Sequence, residues 1–73
     1  MNRVAAEFFI QRNKRFDHGH VVWADGSEDE FGLTLNVERA MEYPTPLDYL
    51  SAIVLSWYPE RTKEEIRSIR LAG

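Results

Sequence analysis

The sequence predicts an α+β fold: a small antiparallel sheet packed by one helix. Three observations carry this expectation. Several stretches alternate apolar and polar residues with a period of two. Asp25-Gly26 makes a turn between two of them. The stretch "PTPLDYLSAIVLSWYPE" instead places its apolar residues at helical spacing.

The elements follow in chain order. Val4, Ala6, Phe8 and Ile10 alternate with Ala5, Glu7, Phe9 and Gln11, which predicts a strand over residues 4–11. Phe8 and Phe9 then face opposite sides, and Phe9 is the aromatic expected outside as a partner contact. "RNKRFDHG" reads as a charged loop and 20–24 as a short strand. Phe31, Leu33, Leu35 and Val37 alternate with small or polar residues, predicting a strand over 31–37. Between these last two strands, loop parity decides which side chains share a face. An even-numbered loop exposes Val21 and Trp23, whereas an odd one places both beside Phe31 and Leu33. Burying a large apolar side chain is worth about 1.5–3 kcal/mol, so the odd loop with Trp23 inside is expected.

The helix is expected near 46–58. Thr45 serves as N-cap, Pro46 stands at the first position and Asp48 in the first turn. Leu47, Leu50, Ile53, Val54 and Trp57 form its apolar stripe, and Pro59 ends it. Residues 38–43 read as a connector or a helical turn. The tail offers two readings. Thr62 and Glu65 resemble a capping box, while Arg67, Ile69 and Leu71 fit one face of a strand over 65–71, which is favoured.

Seventy-three residues without cysteine make one small domain, 1–73, with neither disulfides nor thiolate metal sites to stabilise it. The opening "MNRVAAEFFIQRNKR" is a poor signal peptide, because Glu7 interrupts its short apolar run. A cytoplasmic monomer without a membrane segment is expected. Charge is segregated: residues 1–24 carry a net of +2, residues 25–60 a net of −7 and residues 61–73 a net of +2. That pattern disfavours direct nucleic-acid binding and favours a protein partner of complementary charge.

The acidic stretch "ADGSEDEFGL" carries Asp25, Glu28, Asp29 and Glu30. As a calcium loop it fails, because Glu30 stands where the sixth-position glycine belongs and Asn36 where the final glutamate belongs. These four acids and Phe9 are the residues expected to meet a partner. His18 and His20, with Asp17 beside them, carry donors of the zinc-binding kind. Three ligands without a fourth read as loop histidines, and neither metal nor cofactor is expected. The basic loop "QRNKRF" offers only three positive charges, a thin nucleic-acid footprint on an acidic chain. No nucleophile elbow and no glycine-rich phosphate loop occur, so the chain is read as a non-enzyme.

The order of strand-rich half, "PTPLDYLSAIVLSWYP" helix and "IRSIRLA" tail resembles that of small bacteriophage transcription regulators that bind the host bacterial RNA polymerase. A Xanthomonas phage regulator of this kind binds the N-terminal segment of the polymerase β′ subunit. The helix, Trp-Tyr, "IRSIR" sequence is also similar to a polymerase inhibitor of a T7-like phage. The resemblance implies inhibition of initiation through interference with σ factor, together with antitermination, in the cytoplasm of the infected host. From the residues themselves two other classes stand beside it: a small nucleic-acid-binding domain using "QRNKR", and an acidic inhibitor of a host defence nuclease.

Overall fold

A computed structural model describes all residues, 1–73. It contains helix α1 (Arg3–Asn13), strands β1 (His18–Trp23) and β2 (Glu28–Gly32), a single-turn helix α2 (Val37–Ala40), helix α3 (Pro46–Trp57), a short 3-10 turn (Lys63–Glu65) and strand β3 (Ile66–Ala72). The sheet is antiparallel with order β2-β1-β3. The α+β class is as expected, but the N-terminal element is not. Residues 4–11 form a helix rather than a strand.

The reason lies in two overlapping periods. Val4, Ala6, Phe8 and Ile10 alternate, yet Ala6, Phe9 and Ile10 also recur at helical spacing. The helical set is the one that packs, because Ala6 is fully buried and Phe9 and Ile10 lie against its cluster. Asn2 caps the helix, its side chain accepting from the Ala5 N–H at 2.8 Å. Good helix formers, Ala5, Ala6, Glu7, Gln11 and Arg12, fill much of the segment.

The β1–β2 hairpin turns through Ala24, Asp25 and Gly26, closed by the Trp23 N–H donating to the Ser27 carbonyl at 2.8 Å. The loop is odd, and Gly26 takes the left-handed conformation (φ 88°) that such a turn requires. The register pairs Gly19 with Phe31 and Val21 with Asp29. Val21, Trp23, Phe31 and Leu33 are all buried in one cluster with Val54 of α3. The parity expectation for Trp23 is met. Gly19 leaves the space that the Phe31 ring fills; a Cβ there would come within 2.8 Å of the ring carbon Cε1.

The strand expected over 31–37 occupies 28–32 instead. β1 begins at His18, the partner of Gly32, so beyond Gly32 the chain has no strand to pair with. Leu33 still donates its N–H to the Asp17 carbonyl at 3.0 Å, and Asn36 then caps α2. Leu33 stays buried and Leu35 packs against both clusters, although neither is in a strand. The strand expected over 20–24 begins two residues earlier, at His18, and Ala24 belongs to the turn.

Helix α3 matches its expected start. Thr45 accepts from the Asp48 N–H and Pro46 opens the helix. Its stripe is shifted, however. Tyr49, Ser51 and Val54 are buried, while Leu47 and Trp57 stand 60% and 56% exposed. The helix is covered on two sides, by the sheet cluster and by a second cluster of Ala6, Ala40 and Tyr49 between the helices. Ile53 and Leu35 belong to the surroundings of both. Beyond α3, the Tyr58 hydroxyl donates to the Glu30 carbonyl, and the Trp57 indole lies where a Cβ on Gly32 would come within 2.7 Å. Both readings of the tail are realised in sequence. The Thr62 N–H donates to the Glu65 carboxylate at 3.1 Å, shaping one turn, and β3 then runs along β1.

Candidate functional site

The acidic stretch does not form one ridge. Strand alternation sends Glu28 and Glu30 to the open face of the sheet and Asp29 to the packed face. Asp29 is half-buried, and its Oδ2 accepts from the Trp23 indole N–H at 2.8 Å. It is a structural acceptor for a fully buried tryptophan. Asp25 sits in the turn. Its Oδ1 accepts from the Ser27 N–H at 2.9 Å and from the Ser27 hydroxyl at 2.5 Å. These bonds hold its carboxyl below the usual range, with Arg61 adding to the effect.

Arg61 neutralises much of this corner. Its Nη1 lies 2.9 Å from Glu65 and 3.4 Å from Asp25, and its guanidinium stacks 4.5 Å over the Trp23 ring. Tyr58 meets the same ring edge to face at 5.8 Å. Partial burial, with Asp29, Glu30 and Glu60 nearby, pushes the Tyr58 hydroxyl's pKa up. Glu28 is exposed and forms no ion pair or side-chain hydrogen bond, so it is the acid of the stretch left free for a partner.

Phe9 is not the exposed aromatic. Its ring is half-buried and meets Tyr49 edge to face at 6.4 Å. On a helix, consecutive residues diverge by a third of a turn rather than facing opposite sides, and the burial goes to Phe9. Phe8 is 63% exposed and Val4 75% exposed, one turn apart on the outer side of α1. Phe8 also lines an open groove of about 770 Å³ with Met1, Phe9, Pro44 and Pro46. The Arg12 guanidinium lies 5.5 Å over the Phe8 ring. Of the basic stretch read as a loop, Gln11, Arg12 and Asn13 close α1, while Lys14, Arg15, Phe16 and Asp17 form the connection to β1; Arg15 stacks 4.4 Å over Phe16.

On the open face of the sheet the register brings together residues far apart in sequence. His20 stands directly opposite Glu30, with Nε2 and Oε2 3.9 Å apart. His18 lies two residues along the same strand, its ring 5.5 Å from that of His20. One ring nitrogen from each histidine and one Glu30 oxygen all lie within 4.8 Å of one another. Asp17 is not in this set. Its Oδ1 accepts from Nδ1 of His18 at 2.7 Å, and that bond pulls the Asp17 carboxyl below the usual range. The sequence suggested Asp17 as the third donor; the strand pairing supplies Glu30 instead. Once β1 is placed and the loop is odd, residue numbers summing to 50 name Glu30 as the partner of His20.

Comparison with protein-family models, curated proteins and solved structures returns no match.

Proposed function

We propose that this protein is a non-catalytic regulator that works by binding another protein, and that its partner is the host bacterial RNA polymerase. The reading rests on the exposed apolar strip of α1. Val4 and Phe8 face solvent beside a groove walled by Pro44 and Pro46, and neither contributes to the two buried clusters. An exposed aromatic with an arginine over its face is the residue chemistry of an interface anchor. The partner's identity comes from the resemblance of the chain's layout to phage regulators of polymerase. It carries with it a role at initiation, through σ factor, and in antitermination. Glu28 and Glu30 add negative charge for a basic segment of such a partner.

Immobilised protein mixed with purified polymerase core and holoenzyme tests this reading. Retention of core enzyme is expected, with loss of σ-dependent transcripts. Phe8→Asp should weaken retention by about thirtyfold or more, the scale of a hot-spot loss of about 2 kcal/mol. Failure of the wild-type chain to retain polymerase would remove the proposed partner. Retention that Phe8→Asp leaves intact would remove the proposed surface.

A further inference from the structure

We propose that His18, His20 and Glu30 form a binding site for a divalent transition-metal ion of the zinc class. Two imidazoles and one carboxylate are donors that such ions select. The backbone places them. His18 and His20 project from the same face of the central strand, and Glu30 projects from the neighbouring position on β2. Gly32, opposite His18, has no side chain of its own, and the Trp57 indole fills the space its Cβ would take.

The donor atoms stand within 4.8 Å of one another. Around a tetrahedral ion with bonds of about 2.0–2.1 Å, ligand atoms lie about 3.4 Å apart, so side-chain rotation closes the site without moving the strands. All three side chains have that freedom, since they are one-third to two-thirds exposed. Nδ1 of His18 lies 2.7 Å from the Asp17 carboxylate, an acceptor that favours the Nδ1–H tautomer, in which Nε2 carries the ligating lone pair. Three donors leave the fourth tetrahedral position for water or for a group brought by a partner.

The charges around the site make the proposal specific. Glu30 and Asp17 favour a cation there. Arg70, directly opposite His20 on β3, opposes it; it is exposed and forms no ion pair. Removing that charge should therefore tighten binding, an effect expected only if the ion sits beside His20.

Zinc titration by calorimetry, with histidine ring resonances followed by NMR, tests the site. The wild-type chain is expected to bind one Zn²⁺ saturably and to shift the rings of both His18 and His20. His20→Ala and the near-isosteric Glu30→Gln should each weaken binding by at least about tenfold, and Asp17→Asn by about tenfold, the scale of an outer-shell loss. Arg70→Ala should tighten it. Calcium, which prefers all-oxygen sites, should not compete. Circular dichroism establishes that each variant is folded, and the near-isosteric Glu30→Gln and the gain expected from Arg70→Ala do not depend on a disrupted protein. No saturable zinc binding below millimolar concentration would overturn the proposal. So would binding whose affinity is unchanged in both His20→Ala and Glu30→Gln.

Discussion

Asp29 shows how one residue changes meaning when its strand register is known. Among acids in a row it reads as surface charge, yet it turns inward and accepts from the indole N–H of a tryptophan with no exposed surface. Removing the acceptor leaves a buried donor unpaired, which costs about 1–3 kcal/mol. Asp29→Ala should therefore destabilise the fold by that amount in urea unfolding. Glu28→Ala, one residue away on the open face, should stay within about 0.5 kcal/mol of wild type. Equal effects from the two variants would mean that the bond contributes nothing. No local pattern separates these acids in the sequence. The separation follows from the odd hairpin loop, which was legible, and from carrying its parity across to β2. The same step yields Glu30 beside His20. Phe8 and Phe9 were exchanged for the opposite reason, because their faces depended on taking the segment as a strand.

The elements differ in how plainly their sequences declare them. Helix α3 has a cap, a proline at its first position and an unbroken apolar stripe, and its start was legible to the residue. Helix α1 has eight residues in which both periods fit, and there Asn2 and the alanines carry the deciding information. β2 was misplaced because a strand's end depends on where its partner begins, which is not a local property. The C-terminal turn is fastened by charges on separate elements. Lys63 and Thr45 hold the Asp48 carboxyl low, and Arg61 and Thr62 do the same for Glu65. With Asp25, all three have lower pKa values folded than unfolded. Their stabilisation is therefore present above the unfolded values, about 3.9 for Asp and 4.3 for Glu, and is lost as pH falls through the folded ones. The melting temperature should be nearly flat from pH 7 to about 5.5 and fall below about pH 4.5. Asp48→Asn should make that acid limb shallower. An acid limb identical to that of wild type would show that the Lys63 contact adds no pH-dependent stability.

Across the whole molecule, α3 is the shared wall between the sheet cluster and the helical cluster. Ile53 touches both, so neither core is complete without the other. Ile53→Ala should cost about 2–3 kcal/mol. Tryptophan fluorescence, which reports Trp23 in the sheet cluster together with Trp57 at the end of α3, and far-ultraviolet dichroism, which reports the helices, should still lose their native signals in one coincident transition. Separate transitions would show two independent halves.

The two borders of the sheet are unlike. Along β2, Tyr58 and Trp57 reach over from the end of α3 and occupy the margin at Glu30 and Gly32. Along β3 no further strand follows. The end of α3 thus shields part of one margin of the sheet against edge-to-edge pairing, and the β3 margin carries no such shield.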